Sequence, residues 1–205
     1  PFQVTVDGQS VVSAGNFTFD FDPPSILLVY PNFGGSAGLD IISIFGTNFG
    51  PASAVAKINI STYCGPGDGC EQGLNLCNGV GYQTPHSVLL CQVPTGTGSG
   101  LDIVTSIDYQ MATQLSAFSY AQPQPALTFP SYSATTGSGV VTIFGANFGD
   151  KDYTPAASIG STACQEVIWT SDSLISCQLA PGVGKSLGLE VESNSQTGSR
   201  GNSFS

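Results

Sequence analysis

The stretch Ile44-Phe45-Gly46-Thr47-Asn48-Phe49-Gly50 occurs a second time, nearly unchanged, as Ile143-Phe144-Gly145-Ala146-Asn147-Phe148-Gly149. Two such copies, about one small domain apart, indicate an internal duplication. Each copy ends a hydrophobic run with glycine and asparagine, which tolerate left-handed backbone. We therefore predict that each copy is a β-strand running into a tight turn.

Composition favours an all-β chain. Only 9% of the 205 residues are charged, whereas 26 are glycine and 13 are proline, as expected for many short strands and turns. No segment shows a convincing apolar period of 3.6 residues over three turns. The length and the duplication together favour two domains, each large enough for a sandwich core.

The charge balance excludes several partners. Net charge is −10, and only four residues are positive. Binding to nucleic acid requires clustered cations that neutralise phosphates, and anionic membrane surfaces are disfavoured for the same reason. The sequence contains no run of 18 or more apolar residues, so we expect no segment of it to insert into a bilayer. A signal peptide is absent, although Pro1 is an unlikely natural start and a leader could have been removed.

The six cysteines predict disulfides rather than a metal site. Four lie in the first repeat and two in the second: Cys64, Cys70, Cys77, Cys91, Cys164 and Cys177. Their spacings are wider than those of zinc motifs, and only one histidine is available. Disulfides in turn predict an oxidising, extracellular or cell-surface setting.

The first 22 residues predict a β-hairpin. Phe2, Val4 and Val6 alternate with polar residues, as do Phe17, Phe19 and Phe21, which is the period of half-buried strands. The segment from Gly8 to Gly15 would be the turn. Further along, residues 64–85 show no apolar period and predict a loop. Proline in residues 121–125 predicts a linker with limited hinge freedom.

These motifs together resemble the IPT/TIG domain family. The resemblance covers residues 23–205 and is carried by a leading Pro-x-Ile, the Ile-Phe-Gly-x-Asn-Phe-Gly stretch, and Cys-x12-Cys ahead of Pro181-Gly182-Val183-Gly184. The first repeat departs from the pattern by the insertion that contains Cys70 and Cys77. The resemblance implies immunoglobulin-like sandwiches of the early-set type, found in plexin-like receptors and other surface proteins as well as in some transcription factors. It implies no single activity.

The family pattern also implies a disulfide pairing. It pairs Cys164 with Cys177 and Cys64 with Cys91, and Cys70 and Cys77 would then close the insertion. Six cysteines allow fifteen connectivities, so this choice depends on the alignment of the two repeats.

Two sequons predict N-glycosylation. They are Asn16-Phe17-Thr18 and Asn59-Ile60-Ser61. Both asparagines alternate with the apolar residues of their strands and would point to solvent. We therefore expect covalent glycans at Asn16 and Asn59.

No catalytic set, metal site or cofactor site is expected. His86 has no obvious nucleophile partner and is interpreted as a surface loop residue. Asp68, Asp150 and Asp152 lack the spacing of a calcium loop. Trp169 could stack on a sugar, but its position just after Cys164 favours packing within the sandwich.

The N-terminal hairpin corresponds to only part of a repeat. Phe19 aligns with Phe118 and with Phe204, so residues 1–22 correspond to the last hairpin of a third repeat. Three explanations remain open: the chain is a slice of a longer array, the hairpin packs on the first domain, or it is donated to another copy. The apolar residues of such an interface would be Phe2, Val4, Val6, Phe17, Phe19 and Phe21.

We therefore predict an all-β chain with three parts. These are an N-terminal hairpin or donor strand (1–22), a first IPT/TIG-like domain with a disulfide-closed insertion (23–121, insertion 64–85) and a second such domain (122–205). The predicted function is that of a non-enzymatic extracellular structural or adhesive glycoprotein that assembles head to tail into fibres through residues 1–22. A receptor ectodomain fragment that binds another surface protein is one alternative. Accessory domains of a polysaccharide-acting enzyme are the other.

Overall fold

The computed structural model describes residues 3–12, 20–61 and 76–204. These ranges contain β-strands and no helix, which confirms the predicted all-β class. The N-terminal strands are β1 (Gln3–Val6) and β2 (Gln9–Val12). The next eight are β3 (Ser25–Tyr30), β4 (Phe33–Gly34), β5 (Ile41–Thr47), β6 (Ala56–Ser61), β7 (Gly79–Thr84), β8 (Val88–Gln92), β9 (Leu101–Ile107) and β10 (Gln110–Tyr120). The last eight are β11 (Gln124–Phe129), β12 (Val140–Ala146), β13 (Ala156–Ile159), β14 (Thr162–Ala163), β15 (Glu166–Ser171), β16 (Leu174–Gln178), β17 (Leu187–Ser193) and β18 (Gln196–Phe204).

Strands β3 to β10 form the first sandwich. Its sheets have the orders β3-β5-β8-β7 and β4-β10-β9-β6. Inward residues of both sheets share one apolar core, in which Ile42, Ile58, Leu89 and Ile103 are each 0% exposed. Alternate side chains along a strand point to opposite faces, so each strand supplies this core with every second residue.

Strands β11 to β18 form the second sandwich with the same central topology. One sheet has the order β11-β12-β16-β15, equivalent to β3-β5-β8-β7, and the other has the order β14-β13-β17-β18. Its separate core is built around Val141, Ile143, Ile175, Leu189 and Val191. The two sandwiches thus differ mainly in their edge strands, β4 in the first and β14 in the second.

The duplicated stretch has the predicted form of a strand entering a turn. Ile44 points into the core, whereas Asn48 adopts a left-handed φ of 61° just after β5. Phe49 then folds back into the core and is 0% exposed. A Cβ on Gly46 would lie 2.0 Å from the carbonyl oxygen of Ser25 and 2.3 Å from the Phe49 ring. Only glycine permits this approach, and the second copy repeats it around Phe148.

The N-terminal hairpin exists, but its turn differs from the prediction. Asp7 and Gly8 form a two-residue turn with φ of 50° and 78°, so β2 begins at Gln9 rather than after Gly15. Positive φ at both central residues defines the type I′ turn that favours Asp-Gly, and this dipeptide was the missed signal. Phe2, Asn16, Phe17 and Phe19 lie outside the described residues.

The predicted loop 64–85 is wrong in its last part. Residues Gly79–Thr84 form β7, which pairs with β8 at the edge of the first sheet. A short strand rich in glycine gives no apolar alternation, so the pattern did not reveal it.

Two of the expected disulfides are contradicted. Cys77 bonds to Cys91 with their Cα atoms 5.5 Å apart, which excludes both Cys64–Cys91 and Cys70–Cys77. The pairing of Val80 with Cys91 across β7 and β8 brings Cys77 beside its partner. Cys64 and Cys70 lie outside the described residues. The expected bond between Cys164 and Cys177 is present.

Candidate functional site

The most elaborate polar arrangement lies where the two sandwiches meet, and we call it the joint. On the first sandwich it comprises the turn around Ser36, the loop Pro94–Gly98 and the end of β10. On the second it comprises the turn after β12, Asp172 and the β17–β18 turn. No sequence motif pointed to these residues as a group.

Ser36 is the centre of one half of the joint and is 0% exposed. Its backbone N–H donates to Asn147 Oδ1 at 3.3 Å. Its hydroxyl lies 3.1 Å from the same oxygen and also donates to Asp172 Oδ1. The N–H of Gly149 donates to that carboxylate oxygen as well, at 3.0 Å. Charge-assisted bonds of this kind are the stronger class, so Asp172 fixes Ser36 against the turn.

Gln196 is the centre of the other half and is 9% exposed. Its side-chain oxygen accepts a bond from the Gly98 N–H at 2.9 Å. Its side-chain nitrogen donates to the Tyr120 carbonyl oxygen at 2.8 Å. A single buried amide therefore satisfies two backbone groups of the first sandwich, and the geometry fixes both position and orientation.

Further bonds surround this centre. Asn194 Nδ2 donates to Thr97 Oγ1 at 3.0 Å, and Thr95 Oγ1 donates to Asp150 Oδ2 at 3.0 Å. The other oxygen of Asp150 accepts a bond from the Tyr153 hydroxyl at 2.8 Å. The loop Pro94–Gly98 is thus bonded to the second sandwich at several separate points.

Tyr120 links the joint to the core of the first sandwich. It is 4% exposed, its ring stacks edge-on against Phe118, and its hydroxyl donates to the Pro94 carbonyl at 3.0 Å. Burial raises the pKa of Tyr120 well above its ordinary value, and the nearby Asp150 and Tyr153 add to the rise. The hydroxyl therefore remains a neutral donor.

Part of the joint recurs at the far end of the first sandwich. Asn147 Nδ2 donates to the Gln122 carbonyl at 3.3 Å, and Asn48 Nδ2 donates to the Pro23 carbonyl at 3.0 Å. Gln110, which follows the β9–β10 turn as Gln196 follows the β17–β18 turn, donates to the Phe21 carbonyl at 2.9 Å. Residues 21–23 therefore cross this end in the way that residues 120–122 cross the second sandwich.

The structure does not gather the predicted site residues into one place. Val4 and Val6 are 62% and 70% exposed on the hairpin, and Phe21 is 78% exposed. His86 lies in the β7–β8 turn at the end where Phe21 crosses. Trp169 packs against the core of the second sandwich with its Nε1 buried, which confirms its structural role.

Asn59 does not point to solvent as expected. It is 5% exposed, and the outward residues of the adjacent β9, Asp102, Val104 and Ser106, are also buried. Leu76 also forms an isolated bridge with Asn59 on the outer side of β6. This face of the first sandwich is covered, so the argument from strand alternation fails here. Asn16 lies outside the described residues.

The described parts of the chain contain no cluster of three His, Cys, Asp or Glu side chains that could hold a metal ion. Within the same ranges, no helix is long and apolar enough to cross a membrane.

Comparison with known protein families gives a match in the second sandwich. The family model of the IPT/TIG domain matches residues 126–205. This part of the chain is therefore similar to the IPT/TIG family, as its motifs implied. No curated protein matches the chain.

Several solved structures match this chain at low sequence identity. Surface glycan-binding protein PbSGBP-B from Prevotella bryantii is 13% identical with a TM-score of 0.54, and the match covers 90% of this chain and 43% of that one. SGBP-B from a xyloglucan utilization locus in Bacteroides uniformis is 15% identical with a TM-score of 0.35, covering 89% and 49%. The extracellular region of plexin A4 is 16% identical with a TM-score of 0.38, covering 96% and 20%. The chain thus spans less than half the length of each of these proteins.

Proposed function

We propose that this chain is a non-enzymatic, extracellular structural segment whose two IPT/TIG-like sandwiches form a rigid spacer. The observation that carries the proposal is the joint. Domains joined in one chain move relative to one another by default unless their interface restrains them. Here Ser36 of the first sandwich bonds to Asn147 and Asp172 of the second. Gln196 of the second sandwich bonds to Gly98 and Tyr120 of the first. Both residues are buried, so side chains specify the relative orientation of the sandwiches.

Bending at the joint costs free energy because it leaves buried polar groups without partners. A protein hydrogen bond contributes only about 0.5–1.5 kcal/mol net, but a buried polar group without a partner costs about 1–3 kcal/mol. A bend at the joint would break the bonds of Gln196 to Gly98 and to Tyr120 together. Since water would reach these groups only after the sandwiches separate, small bends are penalised and one orientation is favoured.

The extracellular setting is supported by the disulfides. The bonds Cys77–Cys91 and Cys164–Cys177 each join a strand of a sandwich to the segment just before the neighbouring edge strand, and such bonds persist in oxidising compartments. Both a structural surface protein and a receptor stalk require a spacer of this kind. Covalent glycosylation at Asn16 belongs to the same proposal, and intact-mass analysis before and after glycosidase treatment tests it.

Residual dipolar couplings test the rigid joint. If the joint is rigid, amides of both sandwiches fit one alignment tensor. Gln196→Ala removes both bonds and leaves the Gly98 N–H and the Tyr120 carbonyl without their partner, so we expect two tensors of different magnitude. Gln165→Ala, at an exposed position of the second sandwich, is the matched control and should retain one tensor. Two different tensors in the unmodified chain would contradict the proposal.

Head-to-tail assembly through residues 1–22 is a second candidate, favoured by the exposed valines of the hairpin. Val4 is opposite Val11 and Val6 is opposite Gln9, so the three valines share one face. They are 62%, 70% and 72% exposed. The first and second sandwiches already contain their own final hairpins, β9–β10 and β17–β18, so a donated hairpin would have to add at a sheet edge.

Sedimentation velocity distinguishes the second candidate from a monomeric spacer. If residues 1–22 drive assembly, the chain sediments as concentration-dependent oligomers, and deletion of these residues gives folded monomers. Replacing Val4, Val6 and Val11 with threonine should have the same effect, whereas Val12→Thr on the opposite face should not. Monomers at all concentrations would exclude fibre formation by this route and leave the spacer proposal intact.

A further inference from the structure

A cavity lies at the end of the second sandwich that faces away from the joint. Its volume is about 80 Å³, and its apolar lining includes Leu179, Leu187 and Phe204. Ala180 and Gly182, in the loop after β16, form another wall. Neither the joint nor the proposed spacer function uses this cavity.

The corresponding place in the first sandwich is filled by the ring of Tyr120. The ring lies edge-on against Phe118, with centroids 5.1 Å apart and planes at 90°. Its hydroxyl donates to the Pro94 carbonyl at 3.0 Å. A Cβ added to Gly96 would lie 2.8 Å from the ring. The glycine therefore provides the space in which the ring packs.

Strand register makes the two places equivalent. Phe118 is opposite Leu101 across β10 and β9, and Phe204 is opposite Leu187 across β18 and β17. The loop that follows the matching strands β8 and β16 contains Pro94 and Gly96 in the first sandwich. It contains Ala180 and Gly182 in the second. The residue pairs thus match one for one.

The second sandwich lacks the cover that the first one has. Phe118 is 1% exposed beneath Tyr120, whereas Phe204 is only half-buried. Gly182 has nothing within 3.5 Å of an added Cβ, the nearest atom being Thr162 Oγ1 at 3.6 Å. The space that Tyr120 occupies over Gly96 is therefore open over Gly182.

We propose that this cavity is a binding site for an aromatic side chain, tyrosine or phenylalanine. The side chain would belong to a residue two positions after Phe204, in line with β18. The same spacing occurs in Phe118-Ser119-Tyr120 and in Phe19-Asp20-Phe21. Leucine side chains of the cavity would pack against the ring, and Phe204 would contact its edge. The Ala180 carbonyl would accept a bond from a phenol, as Pro94 does. The proposal does not depend on the spacer function.

A one-residue extension of the chain tests this site. A tyrosine added after Ser205 should lower the equilibrium constant for unfolding of the second sandwich at least tenfold relative to an added alanine. Trp169, the one tryptophan of the chain, lies in this sandwich, so its fluorescence during urea unfolding provides the measurement. An added phenylalanine should retain most of the gain, because only the hydroxyl is lost.

Gly182→Ala is the matched control. In the unextended chain its methyl group has room, so stability should change little. In the tyrosine-extended chain the same methyl group would occupy the ring's space and abolish the gain. A tyrosine effect no larger than that of alanine would overturn the proposal. So would a gain that survives Gly182→Ala, or binding of free p-cresol in the cavity without any effect of the extension.

Discussion

Replacing Thr105 with valine should stabilise the first sandwich. Thr105 lies in β9 and is 0% exposed, and none of the described residues provides a hydrogen-bond partner for its Oγ1. A buried hydroxyl without a partner costs about 1–3 kcal/mol. Valine has nearly the same shape and no polar atom. We therefore expect the free energy of unfolding to increase by about 1–2 kcal/mol.

The second sandwich supplies the reciprocal variant at the same position. Thr105 is opposite Ile58 and Ala112, and Val191 is opposite Ala157 and Gly198 in the equivalent strands. Val191 is likewise 0% exposed. Val191→Thr introduces the buried hydroxyl that Thr105→Val removes, so it should lower stability by about 1–3 kcal/mol.

Two spectroscopic signals separate the sandwiches during unfolding. Trp169 fluorescence reports the second sandwich, and far-ultraviolet circular dichroism reports both. For a domain of this size, 1 kcal/mol corresponds to a shift of about 4–8 °C in Tm. Thr105→Val should raise the circular-dichroism transition, while Val191→Thr should lower the fluorescence transition. If Thr105→Val is neutral or destabilising, an ordered water satisfies the hydroxyl and the reasoning is refuted.

Three further results are expected. Gly198→Ala should destabilise the second sandwich, because its Cβ would lie 1.6 Å from a linker carbonyl oxygen; Gly201→Ala in the same strand, with nothing within 4 Å, should be neutral in thermal unfolding. Stability should fall as pH rises above 10.0, because the pKa of Tyr120 is 10.0 in the unfolded chain and higher in the folded one. Urea midpoints measured against pH should decline less steeply in Tyr120→Phe. Peptide mapping of the oxidised protein should recover Cys77 linked to Cys91; a Cys91 peptide linked elsewhere would contradict the structure.

The strands with strong local signals were predictable from the sequence. The Ile-Phe-Gly-x-Asn-Phe-Gly copies combine a hydrophobic run with residues that favour a turn, and both form a strand and turn as expected. In each case the deciding forces act between residues close in sequence or across one face of a strand.

The errors arose where a local pattern was ambiguous or incomplete. The alternation at Phe17, Phe19 and Phe21 was taken as the return strand of the hairpin, although Asp7-Gly8 was the stronger local signal. Alternation at Asn59 predicted an exposed face, but burial of that face depends on what the rest of the chain places there. A period of two shows which residues share a face and not whether that face meets solvent.

The joint could not be predicted because its bonds connect residues far apart in sequence. Ser36 belongs to no motif, and the duplicated stretch that contains Asn147 predicts a turn without indicating a partner. Their contact exists only after both sandwiches have folded. Gln196 could have been noticed by comparison with Gln110, since both follow the turn of a final hairpin. Gln9 follows the Asp7-Gly8 turn in the same way. A polar residue that recurs after the turn of each final hairpin is therefore the one trace of the joint in the sequence.

The far end of the first sandwich and the joint-facing end of the second sandwich share their bonds to backbone carbonyls and differ in other side chains. Asn48 and Gln110 bond to carbonyls of residues 21–23, as Asn147 and Gln196 do to residues 120–122. The polar side chains of the joint are not repeated at the far end of the first sandwich. His86 occupies the position equivalent to Asp172, and Asp108 occupies the position equivalent to Asn194.

A surface that retains the backbone contacts but changes the polar side chains selects a different neighbour. If a second copy of the first sandwich docked at this far end, its Ser36 would meet the His86 imidazole instead of a carboxylate. Its Thr97 would meet the Asp108 carboxylate instead of an amide. The first sandwich is therefore suited to contact a unit other than itself here. The side chains of the joint, and not the fold that the two sandwiches share, therefore determine which sandwich follows which within the chain.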